Sequence, residues 1–201
     1  MVASAIMPPR LSAVDVIPWI SRIRDRLETA LNSGLDEMTI QAVLKSQYHA
    51  SLAMLRKAID ACPPSLWIDA SYVNQFWQVA YHTLFYADLY LQPSESAFVP
   101  WEHHRPKHNF FVSGWDAAAS ATPYSIDEIR ACWARCDAMI DGAVDRLDLN
   151  APDSGFPWYK MSKLEHQFVN LRHIQHHTGQ LAERIRQATG GAVGWVGGSQ
   201  R

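Results

Sequence analysis

The chain has 201 residues, a formal charge of −2 with histidine neutral, and 48% hydrophobic side chains. That balance gives no electrostatic case for nucleic acid, where a basic stripe is expected, and none for an anionic membrane surface. No apolar run approaches the ~20 residues of a bilayer span, and Met1–Arg10 lacks the charged start and long apolar core of a signal peptide. The expectation is one domain-sized core in a cytoplasmic protein, with no nucleic-acid or membrane partner.

Residues 1–15 read as a loose arm. From Pro18, which suits a first helical turn, the residues Trp19, Ile20, Ile23, Leu27 and Leu31 keep helical spacing as far as Gly34. This segment, 1–35, is expected to be an arm and an appended helix. A first long helix is predicted from about Asp36 to Ala61. Ile40, Val43, Leu44, Tyr48, Leu52, Leu55 and Ile59 form its apolar stripe, and Pro63 and Pro64 stop it. A second is predicted from Ser71, as N-cap, to Leu91. It is apolar almost all round, the mark of a helix buried on several sides.

Residues 92–123 break every period with prolines, Gly114 and scattered polar groups. So long a connection in a four-helix bundle is expected to carry the chain between non-adjacent helices. Its aromatic residues Phe98, Trp101, Phe110, Phe111 and Trp115 suggest packing over the bundle. A third helix starts at Ser125, whose pairing with Glu128 matches a capping box. Ile129, Cys132, Trp133, Cys136, Met139, Ile140, Ala143 and Leu147 make its buried face. The fourth runs from about Lys160 to Thr189 and ends at Gly190 and Gly191. The tail 191–201 is glycine-rich, with order expected around Trp195. The fold class is therefore all-α: a four-helix bundle over 36–190, with a long connection between its second and third helices and an extra N-terminal helix.

The three cysteines, Cys62, Cys132 and Cys136, show no disulfide framework. Cys132 and Cys136 share a helix face and read best as small buried residues.

Chemistry concentrates in the nine histidines. His173 and His177 are four apart, so one turn stacks them on one side of the fourth helix. That spacing lets two imidazoles reach one ion. His176 falls opposite the apolar stripe, toward solvent or a subunit contact. His82 lies midway along the most apolar helix, where an unpaired imidazole is costly to bury. A metal shared between the two helices would satisfy it. Three imidazoles suit zinc, nickel, copper or iron, and three protein ligands leave an open position of catalytic type. Spacing alone is equally compatible with partly exposed polar histidines on the fourth helix and a hydrogen-bonded core histidine at 82. His49, beside the stripe of the first helix, could face the pocket as a proton carrier or be a satisfied helix histidine. His166 lies two turns before His173, roughly 10 Å along the axis, too far for the same ion. His103, His104 and His108 read as loop residues, with a lid as the alternative. Asp88 reads as a carboxylate acceptor for the N–H of a metal-binding histidine, or equally as a surface charge.

The phrase RHIQHHTGQL, with WQVAYHTLFYADLYL upstream, resembles the DinB/YfiT superfamily. The fourth-helix pattern His-x-x-x-His followed by Gly-Gln is met by His173, His177, Gly179 and Gln180. The second-helix histidine in an apolar segment after a tryptophan is met by Trp77 and His82. The resemblance covers roughly 36–190 and implies a four-helix bundle in which His82, His173 and His177 bind a divalent metal, zinc or nickel first, iron or manganese next. It further implies a metal-dependent transferase of low-molecular-weight thiols such as mycothiol or bacillithiol, in which His49 or Tyr48 assists proton transfer. The alternative is a non-catalytic metal- or small-molecule-binding, stress-related protein. A homodimer is expected in either case. The extra N-terminal segment and the long histidine-bearing connection depart from the family pattern.

Overall fold

Leu44, Tyr48, Leu52, Leu55 and Ile59 are each fully or almost fully buried, so from Leu44 on the stripe read from the sequence is the inner face of a helix, whereas Ile40 at its start is 38% exposed. The computed structural model describes residues 39–111 and 122–198. The expected arm and appended helix, and Trp115, lie outside the described residues. Five helices are described: α1 (Ile40–Ala61), α2 (Pro64–Trp67), α3 (Phe76–Tyr90), α4 (Ile126–Arg146) and α5 (Lys163–Thr189). A 3₁₀ turn occupies Glu95–Ala97. The described part of the chain is all-helical, without strands.

Local chemistry sets the boundaries. Glu128 N–H donates to Ser125 Oγ (3.2 Å) and Ser125 N–H to the Glu128 carboxylate (2.7 Å), closing the expected capping box at the start of α4. Ser162 caps α5 by a single bond, its Oγ accepting from Glu165 N–H. α5 stops at Gly190, whose φ of 71° is a left-handed C-terminal conformation that glycine adopts without steric strain. The expected start of α3 at Ser71 is corrected. Ser71 N–H is held by the Asp69 carboxylate in a turn (2.8 Å), and the helix begins after Gln75, whose N–H donates to Gln78 Oε1 (2.6 Å). The local side-chain acceptor at Asp69 competes with helix formation there.

Around the bundle, α1 neighbours α4 and α5, and α3 neighbours the same two. α1 and α4 are antiparallel: Lys45 pairs with Asp145 near one end and Asp60 with Arg130 near the other. α3 and α5 are antiparallel too, with Tyr90 C=O accepting from Gln167 and Asn74 C=O from Arg184. α3 and α4 run the same way, since Tyr81 packs on Tyr124 just before α4 while Asp88, a turn or two later, pairs with Arg135. The connection 92–123 therefore does not join non-adjacent helices. It joins two neighbours that point in the same direction, and its length is needed to return along the bundle, roughly 20–30 Å. The shorter segments 62–75 and 147–162 make the diagonal crossings.

The core contains Trp67, Trp77, Tyr81, Tyr124 and the three cysteines, all buried and all without disulfides. Buried indole N–H groups find carbonyls, as they must: Trp67 donates to Tyr124 O (2.8 Å) and Trp133 to Leu52 O (2.7 Å). In the tail, Val193 packs on the core while Trp195 is 77% exposed, so the anchor is Val193 and not the tryptophan.

Candidate metal centre

His82 sits at mid-length on α3, and His173 and His177 at mid-length on α5, the antiparallel neighbour. The antiparallel pairing brings these midpoints side by side. His82 Nε2 and His173 Nε2 are 3.1 Å apart. One ligand-type nitrogen from each of the three imidazoles lies within 4.8 Å of the others. The rings of His173 and His177, one turn apart, meet edge-on with centroids at 4.6 Å and planes 82° apart, neighbours as the spacing of four requires.

The outer nitrogens decide how the inner ones present themselves. His82 Nδ1–H donates to the carbonyl oxygen of Asn109 (2.8 Å), and His177 Nδ1–H donates to Gln180 Oε1 (2.8 Å). Each bond fixes the tautomer that leaves Nε2 as a lone pair. Burial pushes the His82 imidazole down to about 4, against the Asn109 carbonyl, and the His173 imidazole down to about 3, helped by the other histidines. His177 is also lowered by burial. All three are neutral at pH 7, the form that binds metal. Two imidazole nitrogens at 3.1 Å need either a shared proton or a shared cation between them. Two nitrogens bound to one ion at 2.0–2.1 Å sit about 3.0–3.4 Å apart, so the spacing accommodates a cation as well as a proton. His173 Nδ1 is buried without a hydrogen-bond partner. These three residues could hold a metal ion.

Phe111 lies flat on His82, with centroids 3.9 Å apart and planes 17° apart, and meets His177 edge-on. Tyr86 packs against both His82 and His173. Gln180 also reaches the exposed His176 (3.2 Å), which is thus outside the cluster, as expected.

The other sequence candidates lie elsewhere. The two ring nitrogens of His49 face Asp137 Oδ1 (2.6 Å) and Asp141 Oδ1 (3.1 Å), one turn apart on α4. Tyr48 OH donates to Gln167 Oε1 (2.8 Å), and burial pushes its phenol strongly upward. Neither touches the three imidazoles; their partners tie α1 to α4 and α5. Asp88 is no acceptor for a ligand N–H, because Arg135 and Gln92 occupy its carboxylate. His104 bonds Tyr81 OH (2.6 Å) and His108 packs on Trp77. His166 is fully buried beside Tyr90, Phe156 and Tyr159, apart from the cluster. Gln180, part of the fourth-helix pattern read from the sequence, takes the role of acceptor for His177, whereas the Asn109 contribution is a backbone carbonyl and leaves no signal in the sequence.

The sequence profile of the DinB superfamily matches residues 47–181, from within α1 to within α5. The chain belongs to the DinB superfamily. It matches no curated protein and no solved structure. The matched span includes all three histidines and the connection that supplies Asn109. Within this DinB-superfamily bundle, no described helix is long and apolar enough to cross a membrane.

Proposed function

We propose that this protein is a metal-dependent transferase that joins a low-molecular-weight thiol to a small-molecule acceptor, with His82, His173 and His177 holding zinc or nickel. The observation that carries the reading is the pair of Nε2 atoms 3.1 Å apart between α3 and α5, backed by outer hydrogen bonds that aim the lone pairs inward. A bound divalent ion would supply Lewis acidity, lowering the pKa of a thiol or water in its open positions. The chain's own residues do the positioning. Asn109 C=O and Gln180 hold two rings in register, and Phe111 and Tyr86 exclude water from the ring faces. Desolvation of this kind strengthens every charge interaction inside the site.

The test uses protein purified without a histidine tag. Conjugation of small thiols to the electrophile monochlorobimane is followed by fluorescence with metal bound, with metal stripped by chelator, and in His177→Ala. Conjugation that requires the metal and falls at least about a hundredfold in the variant supports the proposal. Conjugation that is absent, or indifferent to metal and to His177, refutes it. The stacking of Phe111 over His82 favours one second reading, a non-catalytic metal-binding protein, and the same assay separates the two.

A further inference from the structure

Tyr86 and Asn109, which touch the histidine cluster, also line a cavity of about 540 Å³ on the outer side of α3. This volume is in the range of small-molecule sites. Its walls are aromatic: Phe85, Tyr86 and Tyr90 from α3, Phe98 and Phe110 from the following connection, and Trp158 from the loop before α5. Four of the rings adjoin, with Phe85 edge-on to both Tyr86 (5.3 Å) and Phe98 (5.1 Å), and Tyr86 against Tyr90 (5.4 Å). Phe110 and Trp158 are 59% and 49% exposed. Large rings that stay uncovered around a concavity are unusual unless something binds there.

The one formally charged residue in this wall is Glu95, at the start of the 3₁₀ turn. Its carboxylate has no ion-pair partner among the described residues. The nearby cation Lys163 is engaged elsewhere: its ammonium donates to the carbonyls of Pro93 and Ser154. An anionic ligand would therefore find no cation in this wall, only the neutral donors of Asn109, Tyr86, Tyr90 and Trp158 and a carboxylate of its own sign. Ring faces carry the negative lobe of the π quadrupole and attract cations, most strongly where water is excluded.

We infer that this cavity binds an organic cation, an alkylated ammonium group, held by the aromatic walls and by Glu95. The position beside Tyr86 and Asn109 makes it the site for the acceptor molecule of the proposed reaction; that role rests on the proposed function, while the binding chemistry stands on the cavity alone.

Three probes of one shape and different charge test it by calorimetry on the full-length protein: choline, the neutral 3,3-dimethylbutan-1-ol, and the anion 3,3-dimethylbutanoate. Choline is expected to bind at least about tenfold more tightly than the alcohol, with the anion weakest. Glu95→Gln is expected to weaken choline about fivefold and leave the alcohol unchanged. Trp158→Ala is expected to weaken choline at least as much. Equal binding of choline and alcohol, preferred binding of the anion, choline binding untouched by both variants, or no saturable choline binding up to tens of millimolar overturns the inference. Metal content and thiol conjugation, measured on the same samples, report separately on the proposed function: cation binding without either keeps this inference and removes the catalytic one.

Discussion

His166 is enclosed by Tyr90, Phe156 and Tyr159 at centroid distances of 4.8, 4.8 and 5.0 Å, and neither of its nitrogens has a hydrogen-bond partner. Burial, helped by the Lys163 ammonium, lowers its imidazole from an ordinary 6.5 to about 4. An unfolded chain takes up this proton as pH falls through 6.5, whereas the folded chain resists until about 4. Stability is therefore present in full above pH 6.5 and is lost progressively as pH falls toward 4. From these two values the loss between pH 7 and pH 5 is about 2 kcal/mol. That loss should shift the thermal midpoint by about 4–8 °C in a domain of this size. His166→Leu removes the titrating group at similar volume, so its acid-induced loss should be smaller by that amount. Urea unfolding at pH 7, 6 and 5, with both proteins stripped of metal, measures the difference and cancels the titration of the other histidines. A variant that loses stability with acid as steeply as the parent would refute the reasoning.

Gln180→Ala removes the acceptor that orients His177. Metal affinity, read by chelator competition, should fall about 10- to 100-fold, while His176→Ala at the exposed neighbour should leave it nearly unchanged. Gly155 has φ of 81°, and a Cβ there would come within 2.2 Å of Pro93 O. Gly155→Ala should destabilise the protein by at least about 1–2 kcal/mol in urea unfolding and loosen the turn at Glu95, whose N–H donates to Gly155 O.

Much of this molecule is legible before any coordinates. The stripe of α1, the capping box of α4 and the glycine stop of α5 are local patterns, settled within a few residues of chain. The histidine cluster is legible for a similar reason. A spacing of four fixes two rings on one face, and a third imidazole in an apolar helix needs a polar partner. What escapes is long-range. That α3 and α4 run parallel is nowhere in either helix, so from sequence the long 92–123 connection reads as a crossing between non-adjacent helices when it joins two neighbours. His49 pairs with Asp137 and Asp141, 88 and 92 residues away, and no local signal links them. Ser71 has the chemistry of a cap, but Asp69 draws it into a turn.

The central claim is that three imidazoles from α3 and α5 hold one divalent ion. The most direct measurement is elemental analysis of untagged protein, as purified and after reconstitution with zinc or nickel, beside His82→Ala, His173→Ala and His177→Ala, with folding checked by circular dichroism. One equivalent of metal per chain in the parent and little in each folded variant is the expected result. Stoichiometric metal retained by folded His82→Ala, or none taken up by the parent, would contradict it.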